Sequence, residues 1–241
     1  MKQALLTIEE NALIAPSVFR MRLSGDAGEL RPGQFVNIRI DGLFLRRPIS
    51  VCDHEDGVLT IIYKVVGKGT EALSRMGRGE KLDVLCGLGN GYDLTVPCSR
   101  PMLIGGGVGV PPLYYLAKAL TAAGKDVSVV LGFNRAEEIF YEDEFKALGA
   151  KVAVTTADGS YGIRGFVTDA LPENADYFYA CGPEPMLKTL YKRTAVPGEM
   201  SFEERMGCGF GACMGCSCKT ITGSKRICKE GPVLKKEELL W

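Results

Sequence analysis

PMLIGGGVGVPPLYYLAKALTAAG, residues 101–124, carries the reading of the fold. A short apolar run at 101–104 leads into Gly105, Gly106, Gly107 and Gly109, and residues 114–124 are helical in composition and stop at Gly124. Strand, glycine turn and helix in that order let the helix N-terminal amides face an anion, so residues 104–113 form a candidate phosphate-binding turn. Read alone, the same residues also serve as a tight structural turn. The dinucleotide fingerprint G-x-G-x-x-G is not matched, because Pro111 and Pro112 occupy the helix start, where proline is tolerated.

Moving toward the C-terminus, the rhythm repeats. VSVVLGF (127–133) reads as a buried strand, EEIFYEDEFKALG (137–149) as a helix stopped by glycine, and KVAVTT (151–156) and DYFYAC (176–181) as further strands. This βαβ alternation implies a parallel sheet with helices on both faces. CGPEPML (181–187) follows the last of these strands. Pro183 and Pro185 fix the chain there, and Cys181 and Gly182 let a ligand approach; the alternative for Cys181 is a buried cysteine at a strand end.

Toward the N-terminus the texture is β-rich. QFVNIRI (34–40) alternates as a half-buried strand does, GVLTIIYKVV (57–66) is β-branched, and EKLDVLCGLG (80–89) ends in a glycine turn. Short strands at this spacing predict an antiparallel barrel or sandwich. On one of them lies RRPIS (46–50), followed about twenty residues later by Gly67, Lys68, Gly69 and Thr70. An arginine can neutralise a pyrophosphate, a serine can bond a ring edge and a Gly-Thr turn can offer amides to phosphate; Arg46 and Arg47 also read as a solvated face.

The third texture begins near residue 197. Of nine cysteines, five crowd together there as Cys208-x4-Cys213-x2-Cys216-x-Cys218, with Cys228 after eleven residues that follow Cys216. The order C-x4-C-x2-C…C is the plant-type 2Fe-2S spacing. Wrapping one loop around a cluster needs close backbone approach, which Gly207, Gly209, Gly211 and Gly215 supply. Four cysteines can also hold zinc, usually as two C-x2-C pairs. Cys218 has no evident ligand role and reads as a small apolar residue.

Composition narrows the function. The single histidine, His54, cannot furnish most triads, zinc sites or Rieske centres and reads as a surface or turn residue. Chemistry is therefore expected from a cofactor. Basic and acidic residues balance at 29 each, which argues against a nucleic-acid or anionic-membrane partner. The uncharged run 101–117 holds three prolines and four glycines and is no membrane helix, and the N-terminus lacks a signal-peptide layout. A cytoplasmic protein is expected.

The ordered set RPIS, GKGT, GGGVGVPPL, CGPEPML and ERMGCGFGACMGCSC spans nearly the whole chain and resembles the ferredoxin reductase-like flavoproteins. The cysteine stretch is the narrower signal and is similar to that of the electron-transfer subunits of dihydroorotate dehydrogenase B. The resemblance implies a multi-domain protein: an antiparallel β-barrel FAD domain (1–98), an α/β parallel-sheet NAD domain (99–197) and a small C-terminal 2Fe-2S unit (198–241). It implies that Arg47, Pro48, Ile49, Ser50, Ile62, Tyr63, Lys64, Gly69 and Thr70 contact FAD. Gly105, Gly106, Gly107 and Gly109, with Cys181, Gly182 and Pro183, fall to the nicotinamide dinucleotide, and Cys208, Cys213, Cys216 and Cys228 to the cluster. Glu137 and Glu138 crowd Arg135 after the 127–133 strand and favour NAD over NADP. The implied partner is an FMN-containing catalytic subunit in a two-plus-two heterotetramer; the alternative is a reductase subunit of another multi-subunit oxidoreductase, such as a hydrogenase or a transhydrogenase.

Overall fold

The computed structural model describes residues 1–241. The β-rich third closes into a six-stranded barrel rather than a sandwich. Its strands are β1 (Lys2–Ala15), β2 (Val18–Ser24), β3 (Phe35–Ile38), β4 (Arg47–Glu55), β5 (Val58–Lys64) and β6 (Lys81–Leu88), with α1 (Lys68–Ser74) between the last two. The order is β1-β2-β5-β4-β3-β6, closed by the antiparallel pairing of β1 with β6. Alternation fills the interior: Leu59, Ile61 and Tyr63 of β5 point inward, together with Leu6, Ile8, Met21, Leu23 and Val84. His54 lies on β4, opposite Leu59, rather than in a turn.

The second region runs β7 (Pro101–Gly106), α2 (Pro111–Ala122), β8 (Ser128–Phe133), α3 (Glu142–Ala147), β9 (Lys151–Thr156), β10 (Ile163–Arg164), β11 (Tyr177–Cys181), α4 (Glu184–Arg193) and β12 (Gly198–Ser201). Beyond it lie the hairpin β13 (Ser217–Thr220) and β14 (Gly223–Arg226), then β15 (Val233–Lys235). The large sheet has the order β10-β9-β8-β7-β11-β12-β15, parallel except for β15. Leu113, Leu116 and Leu120 of α2 pack on one face, and Leu187 and Leu190 of α4 on the other. Each fully buried leucine contributes about 2 kcal/mol. Because β12 and β15 both join this sheet, the C-terminal residues are built onto it.

Two sequence expectations need correction. The helix expected over 137–149 is confined to Glu142–Ala147, after a 3-10 turn at Ala136–Glu138. Ile139 is extended and Tyr141 is left-handed at φ 67°. That backbone lets Phe140 pack edge-on against Phe133 and Tyr141 against Tyr114. The half-buried strand expected at 34–40 is confined to Phe35–Ile38 and buried on both faces, with Asn37 only 1% exposed, while Arg39 beyond it is exposed. Its outer face is covered by the cysteine loop: Asn37 Nδ2 donates to the Cys208 carbonyl at 3.4 Å.

Barrel and sheet meet through α2. Lys118 Nζ bonds Asp53 (3.0 Å) and Glu55 (2.8 Å) of β4, and the Tyr115 hydroxyl donates to the Leu30 carbonyl. The segment after β6 is the other join. Asn90 bonds the carbonyls of Glu230 and Val233, and the Asp93 amide donates to Glu199 of β12.

Glu199 is 3% exposed, and burial pushes its carboxyl up to about 7, opposed by the Asp93 amide; Asp93 and Glu237 raise it further, while Lys235 lowers it. A carboxyl raised in the folded state binds its proton more tightly there than in the unfolded chain. Its stabilising contribution is full below the unfolded value near 4.5 and is lost as pH rises to about 7, a loss of roughly 3 kcal/mol. Chemical denaturation from pH 4.5 to 8 should show stability falling across this window, and Glu199→Gln should flatten the slope.

Candidate active site: three motifs on one cleft

The barrel motif assembles around α1. An added Cβ at Gly69 would lie 2.1 Å from Arg47 Nε, so the guanidinium of β4 rests directly over the start of α1, where the first amides lack intrahelical partners. Thr70 Oγ1 accepts from the Val66 and Gly67 amides (2.9 and 3.3 Å) and fixes the turn. Arg46 is a structural residue: it bonds the Asp83 carboxylate (2.9 Å) and the carbonyls of Asp83 and Asn37. Ser50, on β4 with Arg47, Pro48 and Ile49, pairs across to Phe35.

The β5 residues divide by face. Lys64 is exposed and lines a cleft, and Ile62 turns outward into the core shared with the sheet. Tyr63 turns into the barrel, where its hydroxyl donates to Asn11 Oδ1 at 2.9 Å. Asn11 Nδ2 in turn donates to the Leu73 and Met76 carbonyls at the end of α1. Tyr63 and Asn11 thus tie the helix that carries Gly69 to the strand that carries Lys64.

The glycine turn and the strand-end motif touch each other. A Cβ at Gly109 would lie 2.2 Å from the Cys181 carbonyl oxygen, and one at Gly106 would lie 2.7 Å from Met186 Sδ and 3.1 Å from Pro183. Gly105, next to last in β7, lies against Val110 and Leu113 of the helix start. Gly107, at φ 51°, turns the chain into open space. Beside the two motifs lies a cleft of about 390 Å³, lined by Gly106, Gly107, Asn134, Glu138, Thr155, Phe166 and Pro183 among others. Pro111 and Pro112 begin α2, as the sequence predicted.

The cysteines form two pairs. In the outer pair, Cys208 Sγ accepts from the Ala212 (3.2 Å) and Cys213 (3.4 Å) amides, and Cys213 Sγ accepts from the Cys208 amide (3.4 Å). In the inner pair, the Cys228 amide donates to Cys216 Sγ at 3.4 Å, and both residues are buried. Burial opposes ionisation of Cys208, but the amides of Phe210, Cys213 and Ala212 and the Cys213 thiol outweigh it and bring the thiol down to about 6. Burial and the neighbouring Cys216 push Cys228 up to about 12. Gly209 and Gly211 hold the loop with φ near 79° and 92°. A Cβ at Gly209 would strike Asn37 Nδ2 at 2.3 Å, so only glycine lets the loop seat on β3.

All three regions contribute to one larger cleft of about 710 Å³. Its walls include Lys64 from the barrel, Gly107, Gly109 and Gly182 from the glycine motifs, and Cys218 with Lys219 from the cysteine unit. Cys218, left without a role by the sequence, is a half-buried wall residue packed on the sheet core. Trp241 closes one end, edge-on to Phe202 and Tyr191. Asn11, Asn37 and Asn90 escaped the sequence reading, because a structural asparagine has no periodic signal and its partners lie far along the chain.

The donor sets fit the groups the motifs imply: amide-solvated thiols for an iron–sulfur cluster, an arginine over a free helix start for a pyrophosphate, and a side-chain-free turn for a dinucleotide. Fold and sites together define an oxidoreductase of the ferredoxin reductase type that carries a C-terminal iron–sulfur unit. Two family models match: the iron–sulfur cluster binding domain of dihydroorotate dehydrogenase B over residues 203–240, and the oxidoreductase NAD-binding domain over residues 103–192. The dihydroorotate dehydrogenase B (NAD(+)) electron transfer subunit of Fusobacterium nucleatum is 46% identical, covering 94% of each chain. The protein of the same name from Bacillus pumilus is 45% identical over 99% of this chain and 98% of its own. The chain belongs to the family of dihydroorotate dehydrogenase B electron transfer subunits. FAD, a 2Fe-2S cluster and NAD are the cofactors of this class.

Among solved structures, one reported with flavin-based electron bifurcation by the NADH-dependent reduced ferredoxin-NADP oxidoreductase superposes with a TM-score of 0.90. It is 35% identical over 99% of this chain and 90% of that one. The FAD/NAD binding domain of a Vibrio cholerae nitric oxide dioxygenase shares the fold at TM-score 0.68 and 22% identity, covering 78% of this chain and 91% of that one. No helix is long and apolar enough to cross a membrane.

Gly109→Ala should force the glycine turn away from Cys181. The expected result is at least about a ten-fold loss of kcat/KM for NADH with a synthetic acceptor, while flavin and cluster absorbance persist. Unchanged NADH kinetics would show that the contact does not shape the site.

Proposed function

We propose that this chain is the electron-transfer subunit of an NAD-linked dihydroorotate dehydrogenase in pyrimidine biosynthesis. It carries electrons from the FMN of a catalytic subunit, by way of its own cluster and FAD, to NAD. The observation that carries the reading is the shared cleft, which brings the barrel strand, both glycine motifs and the cysteine unit to one place. When bound, the cluster exchanges single electrons, FAD exchanges one or two, and NAD accepts a hydride.

The chain's residues divide the work as follows. Cys208, Cys213, Cys216 and Cys228 hold the cluster, and the amides of Ala212, Cys213 and Cys228 offset charge on the sulfurs. Arg47 and the amides of Gly69 and Thr70 take the FAD pyrophosphate, while Pro48, Ile49, Ser50, Ile62, Tyr63 and Lys64 line the flavin, Tyr63 through its backbone because its ring faces the barrel. Gly105, Gly106, Gly107 and Gly109 with Cys181, Gly182 and Pro183 admit NAD without a side chain in its way. No side chain is asked to shuttle a proton between flavin and nicotinamide, which accords with a single histidine. Residues 1–98, 99–197 and 198–241 serve as the FAD, NAD and cluster units, with the parallel pairing of β11 and β12 fastening the third to the second.

The inner thiol pair is buried and the outer pair reaches the surface, where the same loop exposes Phe210 (45%) and Met214 (54%). An apolar rim on a redox loop suits a docked protein. The catalytic subunit is assigned to this face, in a cytoplasmic heterotetramer of two plus two chains. A second reading, a subunit of a bifurcating ferredoxin-NADP oxidoreductase, draws on the likeness to that solved structure. Co-purification from the native host separates the two by the partner recovered.

Cys213→Ser should abolish electron passage from the catalytic subunit and leave NADH reduction of FAD within about two-fold of the unaltered chain. Equal loss of both would overturn the assigned path. The chain alone should reduce dyes with NADH and leave dihydroorotate untouched.

A further inference from the structure

One buried carboxyl has no part in the sites above. Glu199 of β12 is 3% exposed, and the Asp93 amide is its one hydrogen-bond donor, to Oε2 at 3.0 Å. It lines a polar pocket of about 610 Å³ between the segment after β6 and the C-terminal strands, with Arg31, Tyr92, Asp93, Lys225 and Lys235 among the other walls. The remaining carboxylates of that pocket are paired, Glu238 with Lys225 and Glu230 with Arg226.

From Glu199 a row of polar side chains runs along one face of the sheet toward the cofactor cleft. Tyr179 pairs with Glu199 and Cys181 with Ser201, so alternation puts all four on the same face. Tyr92 covers the row: it is edge-on to Tyr179 at 5.5 Å, its hydroxyl donates to the Ala180 carbonyl at 3.4 Å, and it shares the pocket with Glu199. The Ser201 hydroxyl meets both the Tyr92 hydroxyl and the Cys181 thiol. Cys181 ends β11 beside Gly182, a wall of the 710 Å³ cleft, and its carbonyl abuts Gly109. Burial pushes Tyr92 well above its ordinary value and Cys181 up to about 12, so both stay neutral. Glu199, which burial brings to about 7, is the member that changes charge near neutrality. The groups that face it are Tyr92 and Asp93 after β6, Tyr177 and Tyr179 of β11, and Lys235 and Glu237 at the C-terminal strand and turn.

We infer that Glu199, Tyr92, Ser201 and Cys181 form a proton relay from the 610 Å³ pocket to the flavin side of the shared cleft, supplying the one proton that each hydride requires. The inference rests on the proposed electron path. Electrons that cross an iron–sulfur cluster arrive singly and bring no proton, whereas a hydride is two electrons with one proton. Each hydride passed to NAD therefore combines two electrons from the catalytic subunit with one proton from water. The Glu199 carboxyl gives its proton to Tyr92 Oη, the Tyr92 proton moves to Ser201 Oγ, the Ser201 proton to Cys181 Sγ, and the Cys181 proton enters the cleft. Water in the pocket then reprotonates Glu199. This route reaches the hydride site from behind the sheet end, without crossing a cleft that a dinucleotide occupies. Oxidation of NADH draws on no such supply, because its hydride brings the proton along.

The test uses the holoprotein with its flavin and cluster. Flavin bleaching is followed by stopped flow in two ways: with dithionite while redox-inert tetrahydro-NADH fills the cleft, and with NADH. A pH-indicator dye reads proton uptake in the first. Glu199→Gln and Tyr92→Phe should each lower the ratio of the dithionite-driven to the NADH-driven rate by at least about ten-fold, with proton uptake slowed to match. Glu199→Asp should restore part of the ratio. Infrared titration of the unaltered protein should show a carboxyl band that ionises near pH 7 and is missing in Glu199→Gln. Equal loss of both rates would make Glu199 a structural residue and overturn the inference, as would an unchanged ratio in both variants. A ratio lowered by Glu203→Gln, on the exposed cleft wall, but not by Glu199→Gln would overturn it too, because the proton would then enter through the cleft. Failure of NADH to bleach the flavin of the unaltered chain at all would overturn instead the proposed function.

Discussion

The antiparallel pairing of β15 with β12 holds the molecule's working parts in register. Three residue pairs, Glu199 with Lys235, Met200 with Leu234 and Ser201 with Val233, fasten the chain beyond Cys228 to the edge of the α/β sheet. Asn90, just after the barrel, grips the same segment through Glu230 and Val233. Electron passage demands that donor and acceptor sites stay close and fixed. This seam, with the cysteine loop lying on Asn37 of β3, keeps the cluster unit against both other regions. Without it the cleft that joins Lys64, Gly109 and Cys218 would lose a wall.

Around that seam the chain is graded from outside to inside. The outer thiols are solvated by loop amides and reach the surface, and the inner pair sits in the apolar core behind the sheet. The glycine turn walls the shared cleft, and its contact with Cys181 leaves no room for a Cβ. Side chains here position and solvate, and the cofactors do the chemistry, which is why one histidine suffices.

Much of this was legible in the sequence because it rests on local rules. Period-two and β-branched runs, a glycine-stopped helix and prolines at its start marked β3 to β6 of the barrel, β7 to β9 and α2, while β1 and β2 went unread. The cysteine spacing marked residues 208–228 as an iron–sulfur unit, and the matching family model covers that stretch. What escaped depends on distant packing. Residues 137–149 have helical composition, yet Phe140 and Tyr141 bury against Phe133 and Tyr114 only if the backbone breaks before Glu142. Asn37 reads as a solvent-facing strand residue and is covered by a loop 171 positions later. Tyr63 belongs to a motif read as flavin-contacting, while its ring anchors Asn11 and α1 from inside the barrel. Glu138 was visible only as charge near an arginine; its placement on the cleft wall required the fold.

The central claim is that one chain links a hydride site to a one-electron site through a shared cleft. An anaerobic titration of the isolated holoprotein with NADH, followed by flavin absorbance and by electron paramagnetic resonance, tests it directly. The account predicts uptake of about three electrons per chain, with the flavin bleached and the reduced-cluster signal appearing together. A flavin that bleaches fully while the cluster stays oxidised under excess NADH would contradict it.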